Sequence, residues 1–247
     1  MAQKIAFITG GNRGLGFQTA VDLKDSGAKV VIGSRDPKQG QEAVAKLRAA
    51  GVDADFIPFD VAKPADHKAA FDYFNSKYGR LDILINNAGI AAGKFPGDGP
   101  EHSVAEVPED LLRKVFETNF FAPIALTRAL LPLLKKSPEG RIVNLSSLLG
   151  SLTLHADTKS PIYHAKSFAY DASKTALNAF TVHLAYELRD TNIKVNSAHP
   201  GWVKTDMGGD QAPLELSEGG KTSAALATLP ADGPTGGFFH LGKPIPW

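Results

Sequence analysis

The chain has 247 residues, 43% of them hydrophobic and 21% charged, with a formal net charge of +1. This balance predicts a soluble globular protein and gives no reason to expect nucleic acid or a membrane as a partner. Cysteine is absent, which excludes disulfides, thiolate catalysis and cysteine-ligated metal sites. The first residues enter a short apolar run without a signal-peptide core, so we expect a cytoplasmic protein.

Short apolar runs alternate with amphipathic stretches along the chain. The apolar runs are typical of strands buried on both faces. They cover residues 4–9, 29–33, 54–59, 81–85, 141–145 and 194–198, with a weaker seventh candidate at 237–241. The helical patterns cover residues 17–26, 39–50, 66–78, 109–135 and 171–189. Alternating units of this kind predict an α/β fold with a parallel sheet and helices on both faces.

No long linker or change in composition interrupts this series, so we expect one domain over residues 1–247. Three irregular segments, at about 91–107, 151–169 and 203–220, follow the fourth, fifth and sixth predicted strands. Ligands of open α/β sheets bind at the carboxyl ends of strands. These segments are therefore expected to form the walls of a substrate pocket, and the third to act as a mobile lid.

A glycine-rich loop, Thr9 to Gly16 ("TGGNRGLG"), lies between the first predicted strand and a helix. Glycines there permit a tight turn and close approach of the backbone to a pyrophosphate, and the helix N-terminus offers free N–H groups. The spacing Gly-x-x-x-Gly-x-Gly differs from the common Gly-x-Gly-x-x-Gly, and such a loop alone can simply turn the chain.

This loop resembles the TGxxxGxG loop of the short-chain dehydrogenase/reductase family, in its compact single-domain branch. Later motifs follow in family order over nearly the whole chain. They are Asp60-Val61, Asn86-Asn87-Ala88-Gly89, Asn119, Ser147, Tyr170-x-x-x-Lys174 and Pro200-Gly201. The resemblance implies a nicotinamide-dependent oxidoreductase with a Rossmann-type, doubly wound parallel sheet of about seven strands, in the order 3-2-1-4-5-6-7.

The residues after the second predicted strand indicate NADP(H) rather than NAD(H). Ser34 occupies the position where NAD sites often carry an acidic residue, and Arg35 follows it. A guanidinium binds a 2′-phosphate bidentately, and Arg13 in the glycine loop adds a second cation. Asp36 could partly offset Arg35, and either arginine alone could be a solvated surface residue.

Further cofactor-binding residues are implied by the resemblance. Asp60 would contact the adenine, Val61 would line its pocket, and the segment after the sixth strand would hold the nicotinamide carboxamide. The predicted set is Gly10, Asn12, Arg13, Gly14, Leu15, Gly16, Ser34, Arg35, Asp60, Val61, Asn87, Ala88, Gly89, Tyr170, Lys174, Pro200, Gly201, Val203 and Thr205. Without the family, Asp60 would be interpreted as a helix-capping or turn residue, and Asn87 to Gly89 as a turn.

Two tyrosine–lysine pairs are candidates for proton transfer. Tyr163 precedes Lys166 by three positions and Tyr170 precedes Lys174 by four, so either pair would share one helix face. An ammonium stabilises a phenolate, so we expect Lys174 to lower the pKa of Tyr170. The resemblance selects Tyr170 as proton donor, and it places Tyr163 in a segment between Ser147 and Tyr170 that is longer than in many compact family members.

Two further side chains complete the catalytic set that the resemblance implies. Ser147, rather than Ser146, would orient the substrate carbonyl and stabilise its developing charge. Asn119 would hold a water molecule that links Lys174 to solvent. Taken alone, each would more often be a capping serine or a locally bonded asparagine. His102, His155, His164, His183 and His240 show no metal-ligand spacing and are interpreted as structural or surface residues.

The sequence therefore predicts an NADPH-dependent reductase that converts a ketone or aldehyde, of hydrophobic character, to an alcohol. Two alternatives are a nucleotide-sugar epimerase or dehydratase, which can share the Tyr-x-x-x-Lys pair, and a non-catalytic NADP(H)-sensing protein. Chain length and glycine spacing argue against the first, and the intact catalytic set argues against the second. Family members commonly form dimers or tetramers, so a homo-oligomer is expected, with a monomer left open by the inserted segment.

Overall fold

The computed structural model describes residues 3–91, 93 and 102–247, and the strands of this part form one eight-stranded sheet. They are β1 (Ile5–Ile8), β2 (Lys29–Ser34), β3 (Ala54–Pro58), β4 (Ile83–Asn86), β5 (Arg141–Leu145), β6 (Lys194–Ala198), β7 (Phe238–His240) and β8 (Lys243–Pro244). The order β3-β2-β1-β4-β5-β6-β7-β8 confirms the predicted order of the first seven. β8 pairs antiparallel with β7 and was not predicted, because two residues that include a proline carry no strand pattern.

Helices connect the parallel strands. They are α1 (Gly14–Asp22), α2 (Pro37–Ala49), α3 (Pro64–Tyr78), α4 (Glu109–Phe116), α5 (Ala122–Leu134), α6 (Leu152–Ala156), α7 (Phe168–Glu187), α8 (Leu216–Gly219) and α9 (Lys221–Ala227). The short helices α6, α8 and α9 were not predicted, since fewer than two turns give little periodicity. Across the part of the chain described, no helix combines the length and apolar character needed to cross a membrane.

The sheet is buried on both faces because successive side chains of each strand point to opposite sides. In β1, Ile5 and Phe7 join a core with α3, α5 and α7, whereas Ala6 and Ile8 join a second core with α1, α2 and α9. Both cores are apolar, which explains why the strands are continuous hydrophobic runs rather than alternating ones.

The long helix predicted over 109–135 is interrupted. A π-helical turn, Glu117–Phe121, separates α4 from α5. Pro123, in the first turn of α5, has no N–H to donate to the carbonyl of Asn119 four residues earlier, so a regular α-helix cannot continue through this point. The turn places Asn119 in the interior, where it is 1% exposed. Such interruptions are frequent at functional sites.

Phe7 is expected to be a major contributor to stability. Its ring is fully buried and lies 5.2 Å from Phe59 and 5.1 Å from Phe74, measured between ring centroids. Phe7→Ala should lower the free energy of unfolding by about 3–5 kcal/mol, through lost burial and the cavity that remains. Urea denaturation measures this change. Val182→Ala, at an exposed position of α7, is the control and should change it by less than about 0.5 kcal/mol. A similar small change for both would contradict the assignment.

Candidate active site

A cleft of about 1310 Å³ lies at the carboxyl ends of the parallel strands. Its wall is built from the glycine loop, the segments that follow β2, β3, β4, β5 and β6, and the helix α7. The predicted residues that line it are Gly10, Asn12, Arg13, Gly14, Leu15, Gly16, Arg35, Asp60, Val61, Asn87, Ala88, Gly89, Tyr170, Lys174, Pro200 and Thr205. The structure therefore brings most of the predicted cofactor residues, far apart in sequence, to one surface.

The glycine loop is fixed to the end of β4 by hydrogen bonds. The hydroxyl of Thr9 accepts the N–H groups of Asn87 and Ala88, each at 3.0 Å, and the Asn87 amide donates to the carbonyl of Thr9 at 2.7 Å. A Cβ atom at Gly16 would lie 2.5 Å from that amide nitrogen, so this position requires glycine. The sequence motif indicates Thr9 only as part of the loop and gives no sign of this anchoring role.

The start of α1 suits an anionic group. The helix begins at Gly14, and the preceding Arg13 makes no side-chain capping bond to it. Its first N–H groups are therefore not capped by that side chain, beside a cleft lined by Gly14 and Leu15. This arrangement fits a dinucleotide pyrophosphate.

The residues at the end of β2 have two kinds of role: some line the cleft, and others hold the local structure. Arg35 is exposed and lines the cleft, whereas Ser34 is 1% exposed and its hydroxyl donates to the carbonyl of Asp36 at 2.8 Å. The Asp36 carboxylate accepts the backbone N–H groups of Lys38 and Gln39 and so caps α2. Asp36 is therefore engaged in holding the helix rather than paired with Arg35.

Arg13 has a partner that the sequence did not indicate. Its guanidinium forms an ion pair with Asp206 at 2.6 Å, and both side chains are largely exposed, at 69% and 82%. Asp206 belongs to the segment after β6, which also lines the cleft through Met207. This pair joins the two walls of the cleft.

Asp60 and Val61, which are predicted to contact the adenine, follow β3 and line the cleft. The Asp60 carboxylate accepts the N–H of Ala62 at 3.1 Å, which is the bond of a turn aspartate, and α3 is instead preceded by Lys63. Both predicted residues nonetheless line the cleft. The turn interpretation and the cofactor interpretation of Asp60 are thus compatible.

Lys174 lies at the centre of the predicted catalytic group. It is 3% exposed, its ammonium donates to the carbonyl of Leu145 at 2.7 Å, and it lies 5.5 Å from the centroid of the Tyr170 ring. Burial lowers the pKa of Lys174 to about 8. A Cβ atom at Gly89 would lie 3.5 Å from the ammonium nitrogen and 3.3 Å from Oδ1 of Asn119, so both side chains approach the backbone of Gly89.

Asn119 is held by three hydrogen bonds. Its side-chain oxygen accepts the N–H of Ile90 at 2.9 Å, and its amide donates to the carbonyl of Ile90 at 2.9 Å and to the hydroxyl of Ser173 at 3.0 Å. The side chain thereby joins the π-helical turn to the end of β4 and to α7. Its predicted water-holding role stays a prediction.

The Ser147 hydroxyl lies near enough to the phenol of Tyr170 to affect its pKa. Burial is the largest effect on the pKa of Tyr170; Ser147 lowers this pKa and the carboxylate of Asp171 raises it, and together these effects raise it to about 12. In the polypeptide by itself the pKa of Tyr170 is therefore raised, not lowered as expected, because burial is the largest effect. Tyr170 is consequently a neutral phenol at physiological pH, the form that can donate a proton.

Ser147 is distinguished from its neighbour by its contacts. Its hydroxyl also accepts the N–H of Leu149 at 3.2 Å and caps the 3₁₀ turn Leu148–Gly150. Ser146 is 2% exposed, and its hydroxyl has no hydrogen-bond partner within the described part of the protein. The contact with Tyr170 agrees with the choice of Ser147.

The segment after β6 contributes more than the sequence indicated. Pro200 and Thr205 line the cleft, whereas Val203 is 3% exposed and pairs with Leu214 through a β-bridge. Gly201 has a φ of +93°, and a Cβ atom there would lie 2.3 Å from Leu214. Glycine at this position allows the segment to fold back on itself, and part of the predicted lid forms α8. Whether the segment moves stays a prediction.

Of the three predicted pocket segments, the structure describes the second and third in full and the first in part. Residues 92 and 94–101 of the first lie outside the described residues, and the second contains α6 and the first residues of α7. Tyr163 and Lys166 lie in the second, with the ammonium 5.1 Å from the ring centroid, but neither lines the cleft. Within the described residues, no group of three histidine, aspartate or glutamate side chains could hold a metal ion.

The model of the family described as short chain dehydrogenase matches residues 4–215. The chain belongs to this family. It is therefore an oxidoreductase, and the family's Rossmann-type sheet agrees with the strand order described above.

Several of the relatives that the chain resembles are carbonyl reductases. The chain is 35% identical to carbonyl reductase [NADPH] 1 of Mus musculus, over 100% of this chain and 99% of that protein. Among solved structures it is similar to an NADPH-bound carbonyl reductase from chicken fatty liver, at 30% identity, 100% coverage of both chains and a TM-score of 0.84. It is also similar to the carbonyl reductase Sniffer of D. melanogaster, at 31% identity and a TM-score of 0.83, with 100% of both chains covered. These relatives do not favour the epimerase or sensor alternatives.

Proposed function

We propose that this protein is an NADPH-dependent reductase that converts a ketone or aldehyde to an alcohol, with Tyr170 as proton donor. The observation that carries the proposal is a neutral phenol, near the Ser147 hydroxyl and the Lys174 ammonium, at the wall of a dinucleotide-sized cleft. The similarity to NADPH carbonyl reductases over the full chain supports it. We also propose that residues 1–247 act as one domain.

Each side chain has a role in this reaction. When bound, the nicotinamide supplies the hydride. Ser147 orients the carbonyl oxygen, Tyr170 donates its phenolic proton to that oxygen, and the Lys174 ammonium stabilises the phenolate that remains. Asn119 keeps the π-helical turn next to Lys174, where a water molecule could resupply the proton. The glycine loop and the first turn of α1 would hold the pyrophosphate, and Arg35 the 2′-phosphate.

The substrate is proposed to be a hydrophobic carbonyl compound. Ile90, Met207 and Leu216 supply apolar surface to the cleft. Incubation with NADPH and a panel of aromatic ketones, quinones, diketones and steroids, followed by loss of NADPH absorbance, tests the function. NADPH binding without turnover of any carbonyl compound would favour the sensor alternative instead.

Arg35 is expected to determine the preference for NADPH. A guanidinium–phosphate contact is charge-assisted and bidentate, so the wild-type protein should favour NADPH over NADH at least tenfold in kcat/KM, which is about 1.4 kcal/mol. Arg35→Ala should remove most of this preference by lowering kcat/KM for NADPH alone. Arg13→Ala should have a smaller effect, because Arg13 is already paired with Asp206.

Steady-state kinetics with both cofactors measure these changes. Lys38→Ala is the matched control, since Lys38 is an exposed cation three residues away that does not line the cleft. It should leave the NADPH:NADH ratio unchanged. A wild-type preference for NADH, or equal losses with both cofactors in Arg35→Ala, would contradict the assignment.

A further inference from the structure

The turn that follows Ser147 is bonded along its whole length. Ser147 caps the 3₁₀ turn Leu148–Gly150, whose last carbonyl, that of Gly150, accepts the hydroxyl of Thr175 at 3.1 Å and the amide of Asn178 at 3.3 Å. Two further backbone groups of the turn need hydrogen-bond partners, the N–H of Leu148 and the carbonyl of Leu149. Both are bonded to histidine side chains.

His199 accepts a hydrogen bond from the first of these groups, the N–H of Leu148. Its Nδ1 lies 3.1 Å from the backbone nitrogen of Leu148, so that ring nitrogen must be unprotonated. The backbone of His199 is fixed on both sides, because its N–H donates to Phe239 at 2.8 Å and its carbonyl accepts Nδ1 of His240 at 2.9 Å. Burial, and secondarily the His240 ring 4.9 Å away, lowers the pKa of His199 to about 3. The imidazole is therefore neutral and remains an acceptor.

His155 donates a hydrogen bond to the second group, the carbonyl of Leu149. Its Nε2 lies 2.9 Å from the carbonyl of Leu149, and because a carbonyl only accepts, that nitrogen carries the proton. Its Nδ1 then accepts the ammonium of Lys166 at 2.9 Å, and Lys166 also donates to the carbonyl of His155. The Nε2 lies 3.4 Å from the carboxylate of Asp171 as well. Burial lowers the pKa of His155, which favours the neutral ring.

We propose that His199 and His155 are positioning residues that clamp the turn of Ser147 and so aim its hydroxyl at Tyr170 and the substrate carbonyl. The proposal rests on the catalytic role of Ser147 proposed above. One imidazole comes from the residue before Pro200-Gly201 and the other from the segment inserted between Ser147 and Tyr170. The clamp thus gives part of the inserted segment a role in orienting the catalytic serine rather than in forming a pocket wall alone.

Paired substitutions separate the hydrogen bonds from the bulk of the rings. His199→Asn places an amide oxygen where Nδ1 was, and His155→Gln places an amide N–H where Nε2 was. His199→Leu and His155→Leu keep volume but remove the bonds. We expect each Leu variant to lower kcat about tenfold or more with the NADPH dissociation constant unchanged, and the Asn and Gln variants to restore most of the loss. His183→Leu, at an exposed position of α7, is the control and should leave kcat unchanged.

Two readouts distinguish positioning from general destabilisation. In a Ser147→Ala background, His199→Leu should lower kcat by less than about twofold, because the hydroxyl it positions is already gone. Exchange of the Leu148 amide hydrogen, followed by NMR, should be at least about tenfold faster in His199→Leu and near the wild-type rate in His199→Asn.

The outcomes are separable. Full additivity in the Ser147→Ala background, failure of the Asn and Gln variants to restore kcat, or unchanged exchange at Leu148 would each overturn the clamp. Normal turnover in Ser147→Ala alone would overturn the serine's role in the proposed function. If His199→Leu were still slow in that case, His199 would act on another group, and the positioning proposal would be wrong as well.

Discussion

Tyr170→Phe is expected to lower carbonyl reduction about 10³-fold while leaving NADPH affinity within about twofold of the wild-type value. The substitution removes only the hydroxyl, so the packing of the ring in the cleft wall is retained. The lost group is the proposed proton donor, which remains protonated because its pKa is raised to about 12, chiefly by burial. Single-turnover kinetics with NADPH and a reactive quinone or ketone, together with a fluorescence titration of NADPH, measure the two effects.

The second tyrosine–lysine pair supplies the matched control. The Lys166 ammonium lies 5.1 Å from the centroid of the Tyr163 ring, close to the 5.5 Å between the Lys174 ammonium and the Tyr170 ring. Tyr163 does not line the cleft, however. Tyr163→Phe should therefore leave kcat within about threefold of the wild-type value. Near-normal turnover in Tyr170→Phe, or a comparable loss in both variants, would show that the proton donor is misassigned.

Lys174→Met is expected to lower kcat about 10²-fold without loss of stability. Methionine matches the length of the side chain but removes the ammonium that stabilises the phenolate of Tyr170. Lys174 is 3% exposed, and burial lowers the pKa of its ammonium, so the folded protein holds this charge at an energetic disadvantage. The thermal unfolding temperature of the variant should accordingly equal or exceed that of the wild type. A kcat reduced in parallel with the unfolding temperature would indicate a structural role instead.

The pH profile of the wild-type protein should report the same group. Since the pKa of Lys174 is lowered to about 8, the ammonium is present below that pH and is lost above it. Reduction should therefore fall as the pH rises through about 8, while Tyr170, with its raised pKa, remains protonated. Lys174→Met should lack this decline. A wild-type rate that stays constant well above pH 8 would contradict the role of the ammonium.

The sheet could be predicted well because its signals are local. Most of the first six strands are apolar runs buried between two layers of helices, and such runs are recognisable within a few residues. The prediction was less accurate where local pattern is weak. The apolar periodicity of residues 109–135 did not reveal the interruption before Pro123, and the edge strand β8 had no pattern at all.

The candidate site was predicted in part. The residue types and spacing of Tyr170 and Lys174 mark a helix face, and the family resemblance supplied Ser147 and Asn119. The sign of the pKa change at Tyr170 was wrong, because the sequence shows a neighbouring cation but not the depth at which the phenol is buried. The ring-to-ammonium distance does not separate Tyr170 from Tyr163, whereas position on the cleft does.

By itself, the sequence indicated the strands and the glycine loop at the first strand–helix junction. The family resemblance implied the order of the strands and selected Tyr170 and Lys174 as the candidate pair. Only the tertiary structure decided which side chains these groups contact. Arg13 pairs with Asp206 across 193 residues, Asn119 with Ser173 across 54, and His199 with Leu148 across 51. Contacts at such separations have no characteristic spacing along the chain, because they arise where the ends of different strands meet at one edge of the sheet.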